Sequence, residues 1–180
     1  MDPVLAVVGL AKLLFGVFVG VVGITLAARV ATRFGGFESV EAGLRDGNAA
    51  IGIVLAGSIV AMGILVRHAV TGTFGALELL RHSAETRLGV AAVLAYAAAH
   101  LVAALGVGTL LLVAGMRIFT GLTPEIDEVR EIHDGNVASA LVLAAVLVVL
   151  ALLAQQGVET MIDGFLPLPT LGRDALQAPG

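Results

Sequence analysis

The stretch Glu131-Ile132-His133-Asp134-Gly135-Asn136-Val137-Ala138 joins a polar segment to a long apolar run, and Gly43-Leu44-Arg45-Asp46-Gly47-Asn48-Ala49-Ala50 does the same earlier in the chain. The residues after each Asp-Gly-Asn decide the fold. Apolar runs extend from Val137 to Ala154 and from about Ala49 to Val70, and two others run from Val4 to Ala31 and from Leu88 to Met116. None of the four contains Asp or Glu. A bilayer crossing takes about 20 apolar residues, with a range of about 17–25 and more if the helix tilts, so all four qualify. In lipid only helices and closed barrels satisfy their own backbone, and these runs lack the alternation of barrel strands. The expected fold is an all-α membrane protein with four transmembrane helices.

Composition agrees. The chain is 58% hydrophobic and 13% charged, against about 25% charged in soluble proteins. With no cysteine there is neither a disulfide framework nor a thiolate metal site. The net charge of −4 forms no basic patch, which argues against nucleic acid as a partner. Met1-Asp2-Pro3 lacks a basic segment before the first apolar run, so that run is read as a retained helix and not a signal peptide.

The connections carry their own pattern. Thr123-Pro124-Glu125 has the form of a helix start, and Ile126, Val129 and Ile132 then recur every third residue towards Asp134. Phe37, Val40 and Leu44 repeat this before Asp46. Leu77, Leu80, Ala84 and Leu88, opposed by Glu78, Arg81, His82 and Glu85, suit a short helix lying at the membrane interface. After Gly157 the chain turns polar and reads as a partly ordered tail.

A shift of about 88 residues superposes Asp46-Gly47-Asn48 on Asp134-Gly135-Asn136, Val54-Leu55-Ala56 on Val142-Leu143-Ala144, Arg29 on Arg117, Gly20 on Gly108, and Lys12 on His100. Each copy holds two helices, an even number, so both start from the same side of the membrane. The expected arrangement is two parallel two-helix repeats, residues 1–87 and 88–165, followed by a polar tail over 166–180.

These two motifs, each preceded by a long apolar helix and leading into another, resemble the bacterial integral membrane family called domain of unknown function 350. The resemblance covers most of residues 1–165, and its core is Asp46-Gly47-Asn48-Ala49-Ala50 and Asp134-Gly135-Asn136-Val137-Ala138. It implies a multi-pass protein of the bacterial inner membrane built from paired two-helix units. It brings no reaction, substrate or catalytic residue.

Asp46, Asn48, Asp134 and Asn136 have two readings. As caps they satisfy the free amides of a helix start, and the small residues beyond them let another helix approach. As paired polar groups at a membrane boundary they form the rim of a pathway. Lys12 and His100 also have two. Lys12, Gly16, Gly20 and Gly23 share one helical face, and His100, Ala104 and Gly108 repeat it, so both ionisable groups are expected to face protein. Ionisable groups in a span are costly and are functional candidates by default. The alternative is a Lys12 that snorkels to the surface and a neutral His100 bonded to Tyr96 one turn earlier. Since the apolar runs hold no carboxylate, the interior is expected to be basic, favouring an anion, a neutral solute or protons over metal cations. His82 and Glu85 have no third ligand in reach, and no phosphate loop, nucleophile elbow or His-Glu-x-x-His motif occurs.

The expectation is therefore a non-enzymatic, homo-oligomeric component of the membrane and envelope, with no cofactor, in contact with the bilayer and with envelope proteins. The alternative is a small channel or transporter with Lys12 and His100 in its interior. Arg29, Arg33, Arg45, Arg117 and Arg130 gather at the Asp-Gly-Asn side, which leans towards the cytoplasm.

Overall fold

The computed structural model describes residues 3–34, 39–81, 86–122 and 127–166. Four long helices, α1 (Pro3–Phe34), α3 (Ala49–Arg81), α4 (Thr86–Leu122) and α6 (Val137–Phe165), are joined with two short ones, α2 (Val40–Arg45) and α5 (Glu128–His133). Each long helix contains a stretch long and apolar enough to cross a membrane, namely Leu5–Phe34, Ala49–Gly75, Leu94–Gly121 and Val137–Phe165. Several hydroxyls inside these stretches are satisfied locally. Thr25, Ser58, Thr73 and Thr109 each donate to the carbonyl four residues back, at 2.7–2.8 Å.

The Asp-Gly-Asn triplets fold alike. In the first, Asn48 N–H donates to Gly43 O (2.9 Å) and Gly47 N–H to Leu44 O (3.2 Å). In the second, Asn136 N–H donates to Glu131 O (2.8 Å) and Gly135 N–H to Ile132 O (3.1 Å). This is a Schellman close, with glycine at the left-handed position, φ +74° at Gly47 and +93° at Gly135. The asparagine that ends one helix then caps the next. Asn48 Oδ1 accepts from Ile51 N–H, and Asn136 Oδ1 accepts from Ala138 and Ser139 N–H. The expected role of the aspartates is corrected here: Asp46 and Asp134 stand at the C-terminal caps of α2 and α5 and do not cap α3 or α6. Nothing lies within 4 Å of a Cβ at either glycine, so backbone strain alone sets the cost of a side chain there. Gly135→Ala is expected to destabilise by about 1–2 kcal/mol in detergent unfolding, and Gly135→Asn by less, because asparagine tolerates this conformation.

Close pairs set the register. Gly23 of α1 faces Met62 of α3, Gly108 of α4 faces Met62 and Leu65, Gly115 of α4 faces Leu147 and Leu150 of α6, and Gly57 of α3 lies against Ala144 of α6. α1 and α4 thus run antiparallel to α3, and α3 and α6 run parallel. α3 is the most enclosed helix and packs against the other three, while α1 and α6 lie on opposite flanks of the α3–α4 pair. The core between them is apolar: Val54, Met62, Leu65, Leu112, Leu143 and Leu147 are all buried.

Several expectations change. Among the described residues of the stretch expected to form a separate interfacial helix, 77–81 belong to α3 and 86–88 to α4, and Ala84 lies outside them. The expected start at Thr123-Pro124-Glu125, and Phe37, His82 and Glu85, lie outside the described residues. Within them, α5 is capped by Asp127, whose carboxylate accepts from Arg130 N–H (3.1 Å), and α2 by Ser39. The segment after Gly157 is not a loose tail up to residue 166. It prolongs α6 through Phe165, since a helix already formed continues until something stops it, and Pro167 is the first proline after Pro124.

Candidate functional site

The prolonged α6 places two carboxylates where none was expected. Side chains on a helix lean towards its N-terminus, so Glu159 and Asp163, one turn apart, reach back into the bundle. Asp163 Oδ1 lies 3.1 Å from Nε2 of His68 on α3 and 3.5 Å from Nε2 of His100 on α4. Glu159 Oε1 lies 3.7 Å from Nδ1 of His68. The Tyr96 hydroxyl is 3.1 Å from His100 Nε2. Gly72 of α3 lies against both rings, and a Cβ there would meet the His100 ring at 3.6 Å and His68 Nε2 at 4.0 Å, ordinary contact distances.

Burial falls steeply across this cluster. His100 is 0% exposed, His68 is 19% exposed at its side chain, and Asp163 is 54% exposed. The cluster therefore leads from an exposed carboxylate to a buried imidazole within a few ångströms. The second ring nitrogen of His100, Nδ1, is buried and has no hydrogen-bond partner among the described residues.

Lys12 belongs to the same layer. Its ammonium lies 5.4 Å from the centroid of the Phe74 ring, two residues beyond Gly72, and Phe74 also meets Phe15 edge-on at 5.7 Å. Lys12 and His100 thus flank one turn of α3. Their environments differ, because His100 is enclosed and Lys12 is exposed. The glycines of the Lys12 face divide too. Gly23 touches Met62, but nothing lies within 4 Å of a Cβ at Gly16 or Gly20. The expectation of a basic interior without carboxylates is overturned by Glu159 and Asp163, which the apolar-run boundary at Ala154 had left out.

The opposite end holds Asp46, Asn48, Asp134 and Asn136. Asn48 Nδ2–H₂ donates across to two carbonyls at the end of α5, Ile132 O (3.3 Å), which also accepts from Gly135 N–H, and His133 O (2.9 Å). Asn136 stays local and donates to Glu131 Oε2 (2.7 Å). Asp134 lies 3.7 Å from Arg130 Nε and 3.8 Å from His133 Nδ1, all on an exposed surface. An open cavity of about 560 Å³ lies between the two turns, lined in part by Ser39, Asp46, Asn48, His133 and Asp134. The apolar core separates this end from the His68–His100 cluster.

Sequence reasoning missed His68, Glu159 and Asp163. The signal was present: Gln155, Gln156, Glu159 and Asp163 come after the apolar run at helical spacing with no proline or Asp-Gly-Asn turn between them. Among the described residues, no group of three or more His, Asp or Glu is arranged to hold a metal ion.

No curated protein and no solved structure matches this chain. One family does, over residues 5–153 and again over residues 91–171. With four bilayer-length helices and nearly its whole length matched, the chain is of the multi-pass membrane type by its helices and belongs to the family described as Domain of Unknown Function (DUF350).

Proposed function

We propose that this protein is a non-enzymatic component of the bacterial inner membrane that works as an assembly of identical copies, built from two parallel two-helix units. The repeat reading is supported by the matching Schellman turns and by the second family match over the C-terminal half. The observation that carries the assembly is the open glycine surface of α1. A glycine inside a helix costs roughly 0.8–1 kcal/mol against alanine. Gly23, Gly57, Gly108 and Gly115 offset that cost by admitting a neighbouring helix, whereas Gly9, Gly16 and Gly20 admit nothing within the chain. A second copy is the occupant that such a surface suits.

Native mass spectrometry from nanodiscs tests this. The wild type is expected as a multimer, and a Gly16→Leu/Gly20→Leu variant as single copies with unchanged unfolding. A single-copy wild type sinks the proposal, and co-purification of another envelope protein on α1 would redirect it to a mixed assembly.

Transport is the second reading, favoured by the polar layer of Lys12, His68, His100, Glu159 and Asp163. Because Met62, Leu65, Leu112 and Leu147 fill the bundle beneath that layer, a route to the other face would run between copies and not through one. Solute flux into proteoliposomes that is lost in a folded Lys12→Met/His100→Leu variant would make transport the activity.

A further inference from the structure

The geometry points to a proton-binding relay, Glu159–His68–Asp163–His100–Tyr96, that opens to water at Asp163 and ends at the buried ring of His100. Its successive links measure 3.7, 3.1, 3.5 and 3.1 Å. Every link joins a group that can hold a proton to one that can take it. The inference does not depend on the number of copies in the assembly.

Two features separate this cluster from a static ion pair. First, one oxygen, Asp163 Oδ1, is shared by the Nε2 atoms of two imidazoles on different helices. Second, His100 Nε2 is shared between that carboxylate and the Tyr96 hydroxyl. When Nε2 carries no proton, the Tyr96 O–H donates to it. When Nε2 carries one, it donates to the Tyr96 oxygen, since a phenol serves in both roles, and Asp163 Oδ1 stands 3.5 Å away as the countercharge. The site is hydrogen-bonded in either protonation state, so a proton can be gained or lost at a fully buried ring without leaving Nε2 unpaired.

The proton balance is simple. A proton from water is taken by the exposed Asp163 carboxylate and passes to the free Nε2 of His100, which restores the carboxylate and leaves an imidazolium. The reverse order releases it. An isolated buried cation is costly, and the two α6 carboxylates supply the countercharge. Among the described residues, the ionisable groups in this layer are Lys12 on α1, Arg67 and His68 on α3, Tyr96 and His100 on α4, and Glu159 and Asp163 on α6. Lys12 is turned to the Phe74 ring and Arg67 is exposed, so neither occupies the space between the two imidazoles.

The test is a pH titration of the ¹⁵N-labelled histidine side chains of the full chain in nanodiscs. The His100 ring is expected to exchange its proton with solvent, which a static ion pair would not. Asp163→Asn keeps the size of the side chain and removes the shared acceptor. It is expected to slow proton exchange at His100 at least tenfold, with the helix content and unfolding midpoint retained. His68→Gln gives an independent arm if Asp163→Asn fails to fold, and it is expected to change the rate of proton exchange at His100. A His100 that keeps one protonation state across the whole titration overturns the relay. So does one whose titration and exchange are the same in the wild type and in either folded variant.

Discussion

Replacing Gly57 with alanine is expected to lower the stability of the bundle by about 1–3 kcal/mol, and replacing it with leucine to prevent α3 and α6 from docking at all. A Cβ at Gly57 would stand 2.6 Å from Ala144 Cβ and 2.8 Å from Ala144 Cα. The obstacle is backbone, so no rotamer change relieves it and the two helices must separate. Gly115 makes a useful contrast. There a Cβ would meet the ends of Leu147 and Leu150, at 2.7 and 3.1 Å, and those side chains can turn away. Gly115→Ala is therefore expected to cost less than Gly57→Ala. Gly16→Ala, which meets nothing, should be neutral or stabilising within one copy. Unfolding in mixed micelles, followed by circular dichroism, gives the order. A Gly57→Ala protein as stable as Gly16→Ala would show that the α3–α6 contact does not hold the bundle together.

Asn48→Ala should be the most damaging change at the opposite end, at about 2 kcal/mol, and Asn136→Ala should cost about half of that. Both lose a cap. Asn48 alone also donates to two carbonyls at the end of α5, so its removal leaves Ile132 O and His133 O without that donor and loosens the link between the two Asp-Gly-Asn turns. Asn48→Asp separates the two contributions. It keeps an acceptor for Ile51 N–H but sets a carboxylate against carbonyl oxygens, so it is not expected to rescue. Equal losses for Asn48→Ala and Asn136→Ala, or full stability in Asn48→Asp, would remove the cross-link from the account.

These predictions rest on different kinds of information. The sequence by itself determined the four spanning helices, because lipid leaves a long apolar run no other way to satisfy its backbone. It also determined the place of the Asp-Gly-Asn turns. Glycine there reflects a left-handed backbone, and the following asparagine a helix cap, and both requirements are local.

Partnership across helices was not readable. Two asparagines that follow the same Asp-Gly pair differ because only Asn48 reaches across to the end of α5, and that depends on how α3 and α6 dock. Gly16, Gly20 and Gly23 share one sequence pattern, yet Gly23 alone meets α3, because the register of α1 on its neighbours places Met62 there and nothing opposite the others. Glu159 and Asp163 looked like the start of a tail because hydropathy ends a helix where apolar residues end. Hydrogen bonding and packing carry α6 about two to three turns further. Only the parallel α3–α6 packing, with α4 across both, brings those carboxylates to His68 and His100. His68 and Asp163 are 95 positions apart in the chain. A site of this kind is made by the tertiary structure, and no local physical rule marks such distant residues as partners.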